Sequence, residues 1–182
     1  YEDDEVLVVD KPAGLSAEPE RWAREAGCLS GAELAMALKR SGVEVQPEDG
    51  ATPVEGVSYR PRLVHRLDKD TTGAVIVAKT LEAERRLRAA FDEPGAVQKS
   101  YLALVEGEWP LADGESELVD LPIGPDERRS GRMRVDRADG KPSQTRFTVE
   151  ERFEGYTLMR AEPLTGRTHQ IRVHAREVGF PL

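Results

Sequence analysis

Asp68 stands in a stretch dense with groups that move protons or hold anions: His65-Arg66-Leu67-Asp68-Lys69-Asp70-Thr71-Thr72-Gly73. A carboxylate can act as nucleophile or base if it stays ionised in a dry pocket. Burial raises its pKa and a nearby guanidinium lowers it, so a working Asp68 requires an arginine. The downstream block Gly166-Arg167-Thr168-His169-Gln170-Ile171-Arg172-Val173-His174 offers Arg167, in a Thr-Gly-Arg turn just ahead of a helix. A plain buried salt bridge between the two is the alternative. In either case, removing one partner of a buried pair costs about 3–5 kcal/mol. Aspartates in loops most often form caps or turns. Asp70, beside Thr71, Thr72 and Gly73, suits that duty and leaves Asp68 for another.

Two further chemistries can be weighed. Asp68 and Asp70 as a glycosidase pair lie two residues apart, roughly 7 Å on an extended segment. That spacing does not exclude the reaction, but the arginine placement disfavours it. His169 and His174 are five apart, so they do not share a helix face as metal ligands four apart would. With one cysteine, Cys28, no Cys pair can help. No metal and no Gly-rich cofactor loop is expected.

These groups need elements to hold them. Val6-Leu7-Val8-Val9 predicts a short buried strand, ended by the turn chemistry of Asp10-Lys11-Pro12-Ala13-Gly14. Ser30-Gly31-Ala32-Glu33 has the form of a capping box before a helix that buries Leu34, Ala37 and Leu38 and stops at Gly42. Residues 44–62 predict a surface loop. Ala74-Val75-Ile76-Val77-Ala78 is an apolar strand directly behind the Asp68 segment. Thr80 caps a helix through about Phe91, with Ala83, Leu87, Ala90 and Phe91 on one face.

Ser100-Tyr101-Leu102-Ala103-Leu104-Val105 is apolar on both faces and predicts an interior strand. Thr145, Phe147 and Val149 alternate with polar residues, as in a half-exposed strand. Tyr156-Thr157-Leu158-Met159-Arg160 is its expected hairpin partner. The last helix starts near Thr168, buries Ile171, Ala175 and Val178, and stops at Gly179 and Pro181. Strands in runs with irregularly placed helices favour α+β.

A chain of 182 residues fits one domain with room for two lobes. The lone cysteine fits a reducing cytoplasm. No apolar run spans a bilayer, and a monomer is the default. The net charge of −8 argues mildly against a nucleic-acid partner. However, acids crowd the first twenty residues, while three later stretches are basic: Arg60, Arg62, Arg66 and Lys69; Arg128, Arg129, Arg132, Arg134 and Arg137; Arg160, Arg167, Arg172 and Arg176. Any one cluster can be ordinary solvated surface. Three beside the suspect motifs favour a polyanion.

Taken together, the blocks resemble the RluA-type pseudouridine synthases, which isomerise uridine within RNA. His65 to Asp68 followed by Asp70 to Gly73 resembles the family's catalytic motif, with Thr72 where many members carry Ser. Asp10 to Leu15 is similar to its opening block. Lys99-Ser100-Tyr101-Leu102-Ala103 resembles the block holding a base-stacking tyrosine. Pro122-Ile123-Gly124 and Gly140-Lys141-Pro142 look like its central strands, and Gly166 to His174 matches its closing motif.

The resemblance implies an α+β pseudouridine synthase-like fold: a central, mostly antiparallel mixed sheet flanked by helices. One catalytic domain would cover residues 1–182, with the final strands missing after the last helix. It also implies roles. Asp68 would be the catalytic carboxylate and Arg167 its partner. Tyr101 would stack on the flipped uracil, although an aromatic in a buried strand is commonly plain core. Ile171 would wall the base pocket, a position that equally suits core. Arg66 would fill the gap left in the RNA stack. His65 is read as packing rather than as a phosphate contact. No cofactor is implied, and the partner would be ribosomal or transfer RNA, with ribosomal favoured. The alternative is an RNA-binding module of the same fold without catalysis.

Overall fold

The computed structural model describes residues 1–17, 29 and 62–182. The expected capping box, the helix after it and all but the last residue of the expected surface loop lie outside the described residues. The chain forms two compact units, Tyr1–Glu93 and Pro94–Leu182.

In the first unit, β1 (Val6–Lys11), β2 (Arg62–Leu63) and β3 (Gly73–Ala78) form an antiparallel sheet in the order β1-β3-β2. The central strand β3 is the apolar run expected, with Val75 and Val77 fully buried. The expectation of a buried β1 is corrected: Val6 to Val9 are only half-buried. Among the described strands β1 pairs with β3 alone, and on its other edge it meets only the short Tyr1–Asp3 segment, through a bridge between Glu2 and Leu7. Its register sets Lys11 opposite Gly73, which brings the end of β1 to the head of β3. Helix α1 (Leu81–Asp92) starts where Thr80 Oγ1 accepts the Ala83 N–H at 3.1 Å. Ala83, Leu87 and Phe91 pack with Val64, Ile76 and Ala78.

The second unit holds β4 (Tyr101–Glu106), β5 (Ser116–Asp120), β6 (Ile123–Pro125), β7 (Met133–Val135), β8 (Gln144–Phe153), β9 (Tyr156–Pro163) and helix α2 (Gln170–Glu177). One sheet runs β4-β9-β8-β5, and β6 and β7 form a separate ribbon. The β8–β9 hairpin closes at Gly155, whose φ of 76° is favourable only without a Cβ. The inner face carries Val105, Val119, Phe147, Val149, Met159 and Ala161, with Trp109 of the β4–β5 loop and Ala175 of α2 packed among them.

The interior strand expected at 100–105 is corrected. In β4 only Ala103 and Val105 are buried, and Leu102 and Leu104 are exposed. β4 lies at the end of its sheet, and its alternate side chains face away from the core. The α+β class stands. Every strand pair among the described residues is antiparallel, and the ladders divide over three sheets rather than one mixed sheet. No helix among the described residues is long and apolar enough to cross a membrane.

Candidate catalytic site

The segment before Asp68 is anchored through Val64, His65 and Leu67. Val64 and Leu67 are buried. The His65 ring stacks on Phe91 with centroids 4.6 Å apart, and its Nε2 accepts the Ile76 N–H at 3.0 Å. His65 is thus a packing residue that fastens the segment to β3 and α1. Arg66, between His65 and Leu67, is exposed, and Asp68, just after Leu67, is half-buried.

The Asp68 carbonyl accepts the Thr71 N–H at 3.1 Å. Lys69 and Asp70 therefore occupy the middle of a turn that leads into β3. Asp70 does have the turn position expected of it. This corrects the geometry assumed for the two carboxylates: both lie within one turn, Asp68 at its first position and Asp70 at its third, and the spacing of an extended segment does not apply.

The residue that sequence reasoning missed is Lys11. Its side chain has no exposure, and its ammonium donates to the carbonyls of Pro12 at 2.9 Å, Leu15 at 2.8 Å and Lys69 at 2.8 Å. All three of its N–H donors are used. Burial pulls the Lys11 pKa below the usual lysine value, while the negative charges of Asp70 and Asp68 push it back up. The turn beside Asp68 therefore rests on a buried cation. A lysine at the end of an apolar strand normally reads as a solvated group; only its place inside the Asp10–Leu15 block singled it out.

The other candidates belong to the second unit. Arg167 is half-buried; its Nε donates to the Pro142 carbonyl at 3.3 Å, and its backbone N–H donates to Gln170 Oε1 at 3.0 Å. Tyr101 and Ile171 both border the main core cluster, half-buried. Arg167 lines a cavity of about 350 Å³ together with Gly166, Thr168, Lys141, Asp139 and Met133. Neither Tyr101 nor Ile171 is among the described residues lining it.

Sequence reasoning gave no role to Gln170 or His174, and both are buried. His174 Nδ1 lies 2.9 Å from Thr145 Oγ1 and its Nε2 lies 2.9 Å from the Leu121 carbonyl. The hydrophobic period of α2 could not reveal them, because their partners come from distant strands. His169, just before α2, has a φ of 56°, the one non-glycine residue in the left-handed region among those described. Such a conformation costs of order 1–2 kcal/mol and persists where neighbours enforce it.

Comparison with known proteins adds to this geometry. The profile of the family described as RNA pseudouridylate synthase matches residues 5–177. Ribosomal large subunit pseudouridine synthase C of Escherichia coli K12 is 40% identical over 184 residues, and that of Haemophilus ducreyi 39% identical over 183. Each match takes in the whole chain and 50% of the relative, so the chain spans about half the length of these proteins. Among solved structures, human RNA pseudouridylate synthase domain containing 1 matches with a TM-score of 0.71 at 27% identity, over 100% of this chain and 64% of that one. Human RNA pseudouridylate synthase domain containing 4 has the same TM-score and coverage at 22% identity, and shows the likeness of fold.

Proposed function

Because this chain belongs to the RNA pseudouridylate synthase family, we propose that it carries the catalytic machinery of an enzyme converting uridine to pseudouridine in structured RNA. Ribosomal RNA is the favoured substrate, because the two bacterial relatives named above are ribosomal large subunit synthases. Such a substrate puts the working enzyme in the cytoplasm. The observation that best supports the reading is the Asp68 turn: a half-buried carboxylate at the head of β3, its loop held by a buried ammonium.

The reaction is an isomerisation. The bond between N1 of uracil and C1′ of ribose breaks, the base turns, and C5 bonds to C1′. C5 loses its proton and N1 ends protonated, so mass is unchanged and no redox equivalent is consumed. Asp68 attacks or assists departure at the sugar or base while the glycosidic bond breaks. The target must leave its stack to be reached, and Arg66, exposed beside Asp68, fills the gap. Tyr101 stacks on the extruded uracil, Ile171 walls its pocket, and Arg167 keeps the Asp68 carboxylate charged.

The test uses the full-length protein with ribosomal and transfer RNA in parallel. Conversion of uridine to a carbon-linked isomer of equal mass, in ribosomal RNA first, is expected. Asp68→Asn should abolish conversion and leave RNA binding largely intact. Equal conversion by that variant refutes the assignment of Asp68. Binding without conversion by the unmutated protein identifies an inactive RNA-binding module instead.

A further inference from the structure

The stretch Thr165-Gly166-Arg167, which runs into the Arg167–Gln170 turn, is held from within the second unit by one amide side chain. Gln170 is 4% exposed. Its Oε1 accepts the Arg167 backbone N–H at 3.0 Å and the Thr165 hydroxyl at 2.7 Å. Its Nε2 donates to the Gln144 carbonyl at 2.9 Å and to Thr145 Oγ1 at 3.0 Å. Both donors and both acceptor sites are filled, so the orientation of the amide is fixed and no other side chain of that length supplies the same set. The Gln170 backbone N–H also donates to the Arg167 carbonyl at 3.2 Å. Arg167 is therefore clamped at both its amide and its carbonyl. Lys99 Nζ also donates to the Thr165 carbonyl at 3.1 Å.

The clamp continues into the core with a single direction. The Leu121 carbonyl can only accept, so His174 Nε2 carries the proton facing it. His174 Nδ1 then accepts the Thr145 hydroxyl proton, and the Thr145 oxygen is left to receive Gln170 Nε2–H. Burial keeps the His174 pKa below the ordinary value, in accord with the neutral ring this chain requires.

We propose that Gln170 is a positioning residue for Arg167, tying the arginine's backbone to β8 so that its guanidinium is presented in one direction. The proposal rests on the reading of Arg167 as the partner of Asp68. A displacement of about 1 Å at a catalytic group can cost on the order of 100-fold in rate, which is reason to hold this turn by its backbone as well as by its side chain.

The experiment compares the full-length protein with Gln170→Met, which keeps the length and loses all four bonds, and Gln170→Glu, which keeps the acceptors facing Arg167. Turnover on RNA is normalised to folded protein, and Arg167 amide exchange is followed by NMR. Gln170→Met should lower kcat at least about tenfold with KM nearly unchanged, and speed Arg167 exchange on the order of tenfold or more. Gln170→Glu should fall between it and the unmutated protein; it supplies the measurement if Gln170→Met does not fold. A lower melting temperature with unchanged kcat per folded molecule would reduce Gln170 to a structural role and overturn the proposal. Unchanged Arg167 exchange would also overturn it, without reference to catalysis. Arg167→Ala separates the underlying reading: if it retains turnover, the partner assignment fails, while the exchange data still judge the clamp.

Discussion

The ammonium of Lys11 donates to the backbone carbonyl of Lys69, 58 residues away, at 2.8 Å. This bond joins the end of β1 to the turn that follows Asp68. With the bonds to Pro12 and Leu15, it makes one buried side chain the common support of two loops.

Lys11→Met should therefore cost more than a typical point change. Three carbonyls lose their donor, and each left unsatisfied in a buried setting costs about 1–3 kcal/mol. Relief from burying a charge offsets part of this, leaving a net loss of ~2–4 kcal/mol. Urea unfolding measures it. A loss below ~1 kcal/mol would mean that water replaces the ammonium. Turnover per folded molecule should also fall, since the Asp68 turn loses its anchor.

Thr80→Ala provides the contrast. Its Oγ1 accepts the Ala83 N–H at the start of α1, and removing an N-cap hydroxyl costs about 1 kcal/mol. Turnover per folded molecule should not change, because the cap touches neither Asp68 nor its turn. A drop in turnover equal to that of Lys11→Met would show that general loosening of the first unit, rather than the Lys69 bond, governs the site.

The loop between β6 and β7 presents Arg128, Arg129 and Arg132 exposed, and Arg137 is exposed just past the end of β7. Exchanging these four for glutamine should weaken RNA binding across sequences and flatten its salt dependence. Every phosphate deprived of its arginine should lower the slope of log K against log salt by about 0.7–0.9. Affinity titrations over a range of potassium chloride read this directly. An unchanged slope would assign these arginines to solvation alone.

What could be read in the sequence follows from where the causes lie. Thr80, the face of α1 and the β8–β9 hairpin were legible because a cap, a helical period and a strand alternation are local patterns. The turn at Asp70 was legible for the same reason. The exposure of Leu102 and Leu104 was not, since an apolar run cannot say whether its strand ends the sheet. The roles of Lys11 and Gln170 were not legible either. Each is defined by partners from other segments: the Lys69 carbonyl in one case, Gln144 and Thr145 in the other. Family resemblance supplied the order of the blocks and candidate roles for residues that meet solvent or substrate; it set Lys11 and Gln170 inside matched blocks but gave neither a role.

His174 gives the second unit a specific pH response. It has no exposed surface, and burial holds its pKa below the ordinary 6.5, against the opposing pull of the Leu121 carbonyl and the Asp120 charge. As pH falls through about 6.5, the unfolded chain takes up a proton at this position and the folded chain does not. Protons bound in the unfolded state then exceed those bound in the native state, so stability falls with falling pH. The slope reaches at most about 1.4 kcal/mol per pH unit and vanishes once the native pKa is passed. Above about pH 7.5 both states are neutral here and the contribution is constant. Unfolding free energies of the unmutated protein and His174→Gln, measured between about pH 7.5 and pH 5, isolate the effect, because the carboxylates contribute to both. The unmutated protein should lose stability more steeply below about pH 6.5. Equal slopes would mean that His174 accepts a proton in the folded state, and the direction of the bonds from Leu121 through Thr145 to Gln170 would then be wrong.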